Sequence, residues 1–355
     1  MKIVHVIFSL GVGGIENMLV DIVNYQVKLH DVQIIVINDV YDMKILKAFD
    51  SRISIFLLNR KAKSKGLKEI IRLNWLLLYG KYDIIHCHTH TISKILNRFL
   101  LNKTVLTVHD VGYEAKHFSK YIKLFAISNS VHNDLKKRYN LNSIVIYNGV
   151  NSQLIKIKKL SVKKDIFRIV CVGRLEHLKK GQDILIKSIV PLNNKYNIKV
   201  DIIGDGESFN YLMTLIKDLM LDETIEILGN RSRDYIYENL KNYDVLIQPS
   251  NFEGFGLTVV EGMLAKIPVI VSNIDGPIEI IDNGKYGYFF ERGNVNSLSI
   301  VIEQLISSYN EKCTLQMIDE AYKYAKKSFD IENTAEKYLN NYDWIIKQKN
   351  RKKNH

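Results

Sequence analysis

The stretch 249–268, PSNFEGFGLTVVEGMLAKIP, constrains the fold of this chain more than any other. The apolar run 244–248 before it predicts a buried strand, and a helical pattern begins near Leu257, after two closely spaced glycines. A strand, a glycine turn and a helix together direct backbone N–H groups and the positive end of a helix dipole toward an anion. The stretch therefore predicts an α/β fold with an anion site at the carboxyl end of a strand.

Two carboxylates frame this glycine turn. Glu253 precedes the helix, Glu261 lies inside it, and Gly254 and Gly256 let a ligand approach the backbone without a Cβ in the way. An ionised carboxylate only accepts hydrogen bonds, so such a pair suits the hydroxyl groups of sugars and riboses. We interpret the stretch as a nucleotide-sugar site, with the diphosphate at the helix end and one glutamate toward each sugar ring. The alternative is two solvated glutamates near a helix start.

The segment from Glu253 to Glu261 resembles the E-x7-E motif of the retaining GT-B glycosyltransferases called group 1 or family 4. This resemblance implies that Glu261 accepts the ribose hydroxyls of a nucleotide-sugar donor and that Glu253 contacts the transferred sugar. It also assigns the donor site the residues between them, namely Gly254, Phe255, Gly256 and Leu257.

A second motif follows the predicted strand 168–172. Gly173-Arg174 and Lys180-Gly181 resemble the family's G-R-x5-K-G diphosphate clamp, with Lys179 as a rival for Lys180. Cations on loops at strand ends suit a pyrophosphate, and an arginine can bind two oxygens at once. The turn after the next strand carries Asp205 and Gly206, which we include in the donor site.

The N-terminal strand, Lys2 to Phe8, leads into a glycine loop that predicts a Rossmann-like first turn. The loop lacks the third glycine of the dinucleotide fingerprint, which argues against an NAD enzyme. The family resemblance implies that Gly13 and Gly14 lie at the interdomain cleft and touch acceptor or diphosphate. It also makes His109 a cleft histidine that contacts the donor sugar, against the alternative of a packed or solvated side chain.

Three alternating histidines, His86, His88 and His90, are expected to share one face of a strand end. Such a face could hold a metal, but no acidic partner is evident. We therefore favour a polar lining for an acceptor pocket.

Length and charge narrow the class of protein. A chain of 355 residues exceeds a typical single core, so two domains are expected. Lysine and arginine total 50 against 38 aspartates and glutamates, and the net charge of +12 favours an anionic partner. A diphosphate or an anionic membrane fits. Nucleic acid does not, because zinc-finger spacing and RNP-like motifs are missing from the sequence.

The three widely spaced cysteines lack zinc-type spacing, which favours a reduced cytosol.

Residues 59–77 combine basic and apolar side chains, and we predict a basic helix there. Such a helix either lies on an anionic membrane or packs on its own sheet with a hydrated charged face. Its apolar members include Leu67, Ile71 and Trp75. The basic members are Arg60, Lys61, Lys63, Lys65, Lys68 and Arg72.

The resemblance implies the GT-B arrangement, in which two Rossmann-like parallel-sheet domains face each other across a cleft. Asn148-Gly149-Val150 resembles the family's closing segment of the first domain. The predicted divisions are an acceptor-binding domain at 1–150, a basic linker at 151–165, a nucleotide-sugar-binding domain at 166–330 and a helix at 331–355 that crosses back to the first domain.

The expected activity is retaining transfer from a nucleotide diphosphate sugar, UDP-linked by preference, to a hydroxyl of a saccharide or lipid-linked saccharide. The family's setting is bacterial cell-surface polysaccharide or glycolipid synthesis, in the cytoplasm at the inner face of the plasma membrane. No D-x-D occurs in the sequence, so we expect neither metal nor cofactor, and Arg174 and Lys180 neutralise the leaving group. Alternatives are a GT-B sugar-nucleotide epimerase and a non-catalytic partner subunit of a transferase complex.

Overall fold

The computed structural model describes residues 1–11, 13–62, 64, 66–159 and 165–353. The predicted basic residues Lys63 and Lys65, and positions 160–164 of the predicted linker, lie outside the described residues. The chain divides into two compact units. Unit 1 is Met1–Gly149 together with Ile331–His355, and unit 2 is Val150–Asp330.

Unit 1 contains a parallel sheet whose strand order is β3-β2-β1-β4-β5-β6-β7. Apolar residues predominate in the strands, as is typical of a parallel sheet, and β1 buries every residue after its first lysine, His5 included. The strands are β1 Lys2–Ile7, β2 Asp31–Asn38, β3 Ser54–Arg60, β4 Ile84–Cys87, β5 Thr104–Val108, β6 Lys123–Ala126 and β7 Ile144–Val145. The helices between them are α1 Gly14–Gln26, α2 Met43–Lys47, α3 Lys68–Tyr79 and α4 Asn129–Tyr139.

The predicted basic helix at 59–77 is wrong in its first half. Arg60 is the last residue of β3, and α3 begins only at Lys68. The strand extends to Arg60 because it stays paired with β2 up to that residue. Among the described residues of the predicted basic set, Lys68 and Arg72 lie on the helix, whereas Arg60 and Lys61 precede it.

Unit 2 contains a second parallel sheet, in the order β10-β9-β8-β11-β12-β13. Its strands are β8 Phe167–Val172, β9 Ile198–Ile203, β10 Ile225–Gly229, β11 Val245–Gln248, β12 Val269–Ser272 and β13 Tyr288–Phe290. Its helices are α5 His177–Lys180, α6 Gln182–Asn193, α7 Phe209–Asp218, α8 Arg233–Asn239, α9 Leu257–Leu264, α10 Asp275–Ile280, α11 Val295–Ser308 and α12 Lys312–Phe329. We did not predict β13, because a three-residue strand leaves no alternating pattern.

The order of this sheet fixes where a ligand can bind. From β8 the chain moves to β9 on one side, and it later returns to place β11 on the other. The carboxyl ends of β8 and β11 therefore form the topological switch point, where open α/β sheets bind their ligands.

The described part of the predicted linker at 151–165 packs on unit 2. Its backbone joins unit 2, since the amide of Lys158 donates to the carbonyl of Ala265 at 2.8 Å. The Lys158 ammonium is buried beside the Asp244 carboxylate and donates to the Tyr309 hydroxyl at 2.9 Å. A buried ammonium needs such partners, so this lysine fixes the segment to unit 2.

The last helix, α13 Ile331–Lys353, belongs to unit 1 and buries Tyr338 and Tyr342 in its core. Among the helices of the described residues, none has both the length and the apolarity needed to cross a membrane.

Candidate functional site

The loops that follow β8 and β11 meet at the switch point of unit 2. The amide of Asn251 donates to the carbonyl of Lys179 at 2.8 Å, so the loop after β11 rests on helix α5. Gly181, with φ +68°, closes α5 so near this loop that a Cβ would lie 2.0 Å from the carbonyl oxygen of Pro249. A larger residue would push the two loops apart, which explains why a glycine follows Lys180.

The turn after β9 lies against the same region. The amide of Gly173 donates to the carbonyl of Ile203 at 2.9 Å, and the amide of Leu175 donates to the carbonyl of Asp205 at 3.0 Å. The structure thus brings the Asp205-Gly206 turn beside the loop that carries Arg174.

Lys180 and Glu253 form the central charged pair of this site. The Lys180 ammonium lies 2.6 Å from Glu253 Oε2, and the two side chains keep 23% and 18% of their surface exposed. The segment after β8 supplies the lysine and the loop after β11 supplies the glutamate. The pair is still partly exposed to solvent. A ligand with anionic oxygens can reach the ammonium while the carboxylate stays beside it.

Gln248, the last residue of β11, supports this pair and was missed in the sequence. Its amide nitrogen lies 3.4 Å from Glu253 Oε2 and 3.2 Å from the Thr258 hydroxyl. Its Oε1 is buried without a hydrogen-bond partner among the described residues. A polar residue at the carboxyl end of a buried strand was the signal that could have identified it.

Arg174 is not part of the Lys180 pair. Its guanidinium lies 3.2 Å from Glu176 Oε1, and its side chain is 69% exposed. A surface pair of this kind holds its partners weakly, so the arginine is able to turn toward an anion.

Helix α9 begins at Leu257, directly after the glycine turn. Gly256 is its N-cap at φ +114°, a conformation that side chains rarely adopt, and no side chain caps the helix. The first N–H groups are therefore available to an anion. Gly254 and Phe255 are buried, and the Phe255 ring packs at 5.7 Å from that of Phe329. Phe255 can therefore contribute to the predicted donor site through its backbone but not through its side chain.

Glu261 lies further along α9, where the Tyr237 hydroxyl donates to it at 3.3 Å. Burial raises the pKa of this carboxyl to about 7, and the tyrosine hydrogen bond and the charge of Arg233 offset part of that effect. The predicted acceptor of ribose hydroxyls is therefore only partly ionised at neutral pH.

The remaining predicted residues lie in unit 1. Gly13 is the N-cap of α1 and Gly14 is its first residue, while the carbonyl of Gly13 accepts from the Asn17 side chain at 2.9 Å. His109 follows β5 directly and is buried. Neither of its ring nitrogens has a partner among the described residues, and burial lowers its pKa to about 4. A buried, unpartnered imidazole marks a place where a ligand can complete the hydrogen bonding.

The expected shared face of His86, His88 and His90 is only partly correct. His86 and His88 are buried with ring centroids 4.2 Å apart, but His90 starts a 3-10 turn and stacks on Tyr113 at 4.3 Å. The alternation fails because β4 ends at Cys87.

His5 joins the cluster instead, because it is the register partner of His86 on the neighbouring strand. Its Nδ1 lies 2.9 Å from His88 Nε2, and its Nε2 lies 2.8 Å from the side-chain oxygen of Gln26. We call His5, His86, His88 and His109 the histidine layer.

His5, His86 and His88 are buried inside unit 1. The ring nitrogens of His86 lie 2.5 Å from the Tyr342 hydroxyl and 2.7 Å from the Thr107 hydroxyl. Burial lowers the pKa of His5 to about 4 and that of His86 well below its usual range, so both are neutral at pH 7. Ligand atoms of His5, His86 and His88 lie within 4.8 Å of one another, so they could hold a cation. A cation would have to displace these hydrogen bonds.

Comparison with known proteins identifies the family. The model for "Glycosyl transferases group 1" matches residues 152–326, and that for "Glycosyltransferase Family 4" matches residues 12–154. A glycosyltransferase of Methanocaldococcus jannaschii is 30% identical over 261 residues, which cover 69% of this chain and 71% of that protein.

Two further proteins are similar over much of their length. The UDP-Gal:α-D-GlcNAc-diphosphoundecaprenol α-1,3-galactosyltransferase of Escherichia coli is 28% identical over 317 residues, with 79% of this chain and 81% of that protein covered. The crystal structure of HepE from Anabaena, in complex with UDP and glucose, superposes with a TM-score of 0.80 at 20% identity and covers 97% of this chain and 99% of that one. This chain therefore belongs to the group 1 glycosyltransferases of family 4, and its fold is GT-B.

Proposed function

We propose that this glycosyltransferase moves a sugar from a UDP-sugar to a hydroxyl of a saccharide or lipid-linked saccharide, with retention of the anomeric configuration. The product would serve bacterial cell-surface polysaccharide or glycolipid synthesis. One observation carries the proposal, namely the contact of 2.6 Å between Lys180 and Glu253 at the switch point of unit 2. The Lys180 ammonium, which could bind a phosphate, lies directly beside the Glu253 carboxylate, which could accept hydrogen bonds from sugar hydroxyls.

The donor would occupy the loops around this pair. Its diphosphate would lie on Lys180, Arg174 and the uncapped N–H groups of α9, since all three offer positive charge to the same strand ends. The ribose would reach Glu261 and the transferred sugar would reach Glu253. UDP as the nucleotide is supported by HepE, which binds UDP and glucose, and by the Escherichia coli relative, which uses UDP-Gal.

Transfer would then follow a same-face course. The bond between the sugar's C1 and the diphosphate oxygen breaks, and a bond from the acceptor oxygen to C1 forms on the same face. The acceptor's proton passes to the departing phosphate oxygen. Lys180, Arg174 and the N–H groups would stabilise the negative charge that develops there, because they are oriented before the reaction begins.

We infer that this charge stabilisation runs without a metal. A divalent cation on a diphosphate usually needs a pair of carboxylates, and the sequence has no D-x-D. The two basic side chains and the helix end supply comparable positive charge from the protein itself.

The acceptor would bind to unit 1, at Gly13 and Gly14, and His109 would contact the donor sugar, as the family resemblance implies. The unpartnered imidazole of His109 is the supporting observation, since a sugar hydroxyl could complete its hydrogen bonding. A lipid-linked acceptor would place the protein at the inner face of the plasma membrane. The diphosphoundecaprenol-linked acceptor in the name of the Escherichia coli relative supports this.

A two-stage experiment tests the proposal. Nucleotide-sugars are first screened by thermal shift, since a ligand that binds the folded state raises the melting temperature. The stabilising donor is then incubated with candidate acceptor saccharides, and the anomeric configuration of the product is read by NMR. We expect a UDP-sugar to stabilise and the donor's configuration to be kept. Inverted product, or a C2 epimer of the donor formed without acceptor, would contradict the proposal.

A further inference from the structure

Helix α3 is apolar on two opposite faces. Leu73 and Leu77 are fully buried and hold the helix against unit 1. On the other side, Ile71, Trp75 and Tyr79 are 67%, 57% and 68% exposed, at successive positions four residues apart. A surface helix normally turns a polar face outward, so this outer stripe is not required by the fold of unit 1.

The exposed apolar surface extends beyond the helix. The side chain of Asn74 accepts from the amide of Asn97 at 2.5 Å and donates to the carbonyl of Ile95 at 2.9 Å. These bonds tie the segment 95–99 to α3, and Phe99 at its end is 66% exposed. We name this surface the α3 face and define it as Leu67, Ile71, Trp75, Leu78, Tyr79 and Phe99.

Basic residues surround the α3 face. Lys68 and Arg72 alternate with its apolar residues along the helix and are exposed. Arg98 is exposed on the other side and lies over the Phe99 ring at 5.0 Å. The whole chain carries a net charge of +12. An exposed apolar face flanked by basic residues marks an interaction site for an apolar surface that is negatively charged.

We propose that the α3 face docks on an anionic lipid surface, with its apolar side chains in the headgroup region and Lys68, Arg72 and Arg98 on lipid phosphates. Trp75 and Tyr79 suit this depth, because aromatic residues with a polar tip concentrate at membrane interfaces. The proposal rests on the proposed function in one respect: docking through the α3 face would hold the enzyme on the membrane that contains a lipid-linked acceptor.

A second copy of the chain fits the α3 face less well. A stable interface buries about 800 Å² on each partner with roughly 20–30 residues, whereas this face is one helix of about 18 Å and a neighbouring loop. A two-fold dimer would also bring two copies of the same basic-edged face together. Like charges at the border oppose that contact, while anionic lipids neutralise them.

Vesicle flotation of the full chain tests the proposal. We expect binding to mixed phosphatidylcholine and phosphatidylglycerol vesicles, little binding to phosphatidylcholine alone, and release by salt. The variant Ile71→Ser/Trp75→Ser/Tyr79→Ser should bind at least about tenfold more weakly, because three apolar side chains no longer leave water. Lys68→Gln/Arg72→Gln should lose the preference for anionic lipid.

Matched controls lie elsewhere on the surface. Lys137→Gln/Lys326→Gln removes the same charge from exposed positions away from α3, and Met220→Ser removes another exposed apolar side chain. Both should bind vesicles as the wild type does. If they weaken binding as much as the α3 variants, net charge or general apolarity explains the binding and the proposal fails.

Fluorescence locates the contact. The chain has two tryptophans, Trp75 and Trp344, so Trp344→Phe leaves Trp75 as the single emitter. Its emission should shift to the blue with anionic vesicles, whereas the Trp344 emission of Trp75→Phe should not move. Unchanged Trp75 emission while the protein floats with vesicles would overturn the proposal.

Two further measurements separate this proposal from the proposed function. Calorimetry with UDP should give the same affinity for the wild type and the triple serine variant. If UDP does not bind the wild type while vesicle docking holds, the proposed function fails and the α3 face stands. If equilibrium sedimentation shows a dimer that the serine variant breaks, the face joins two copies and the docking proposal is wrong.

Discussion

The histidine layer of unit 1 and the Lys180–Glu253 pair of unit 2 both lie among parallel strands, but their electrostatics are opposite. His5 and His86 are buried, neutral and bonded within the unit. Lys180 and Glu253 are charged partners that keep part of their surface in solvent. Burial without a counter-charge keeps the histidines neutral, because the charged form is poorly solvated. Pairing at a solvent-accessible strand end keeps Lys180 and Glu253 charged. The layer should therefore respond to protons, and the pair to an anionic ligand.

The largest expected effect is the loss of sugar-transfer rate when a basic residue of the charged site is removed. Lys180→Ala and Arg174→Ala should each raise the barrier by about 3–4 kcal/mol, as for the loss of one preorganised oxyanion donor. The measurement is kcat/KM for sugar transfer from the best donor. Lys195→Ala, which removes a surface lysine paired with Glu303 in the same unit, is the control and should be near wild type. Equal rates for all three variants would separate these residues from the chemistry.

The next effect tests the neutral layer. His5 and His109 have a pKa of about 4 when folded, against 6.5 when unfolded, so the unfolded chain binds more protons between these values. The free energy of unfolding should therefore fall as the pH drops from 6.5 toward 4, by about 3 kcal/mol for each histidine. Urea titrations read by Trp75 and Trp344 fluorescence report on unit 1, which contains both.

A pair of variants sharpens that measurement. His109→Gln should make the pH dependence of stability shallower, whereas His117→Gln, at an exposed position, should leave it unchanged. A stability of unit 1 that does not vary between pH 6.5 and pH 4 would contradict the neutral, buried state of the layer.

Glu261 provides an intermediate case, because it lies in the unit with the charged site but has a pKa raised to about 7. Glu261→Ala should weaken binding of a UDP-sugar by roughly 1.5–3 kcal/mol, the usual loss for a hydrogen bond to a charged group. Wild-type affinity should fall as the pH drops below 7, and Glu261→Gln should remove that dependence. Calorimetry from pH 5.5 to pH 8 measures both. Unchanged affinity in the alanine variant would exclude Glu261 from the donor site.

Glu261 also changes stability in the direction opposite to the histidines. The folded carboxyl binds a proton more readily than the unfolded one between pH 4.5 and about 7, so its contribution to the free energy of unfolding decreases as the pH rises through this range. Glu261→Gln should therefore stabilise unit 2 more at pH 8 than at pH 5.

The smallest effect concerns one hydrogen bond of the layer. Tyr342→Phe removes the hydroxyl that lies 2.5 Å from His86 Nδ1 and leaves a buried ring nitrogen unpaired. The free energy of unfolding of unit 1 should fall by about 1–3 kcal/mol. Urea titration of Tyr79→Phe, at an exposed position, should show almost no change. Equal stability of the two variants would mean that the bond to His86 does not hold α13.

Local patterns predicted the charged site better than the layer. Glu253, Glu261 and the glycines between them occur within one stretch, so the sequence alone grouped them as one candidate site, and the resemblance to the family implied their roles. The histidine layer depends on register between strands, because His5 meets His86 only when β1 pairs with β4. Its hydroxyl partner Tyr342 comes from the far end of the chain. No local pattern contains such contacts.

The errors have the same origin. His90 was grouped with His86 because alternation was extended past the end of β4. Lys158 was assigned to a basic linker with no partner named, because its buried partners, Asp244 and Tyr309, are distant in the sequence. Gln248 was missed because its role depends on how the loop after β11 folds back toward Lys180.

The central claim is that paired but open charges at the strand ends of unit 2 bind the donor's diphosphate without a metal. Calorimetric titration of UDP in EDTA, and again in Mg²⁺, tests it most directly. We expect similar affinity in both buffers, binding at least about tenfold weaker for Lys180→Ala, and retained binding for Glu253→Gln, which leaves the lysine in place. Binding that requires Mg²⁺ and is unaffected by Lys180→Ala would contradict the claim.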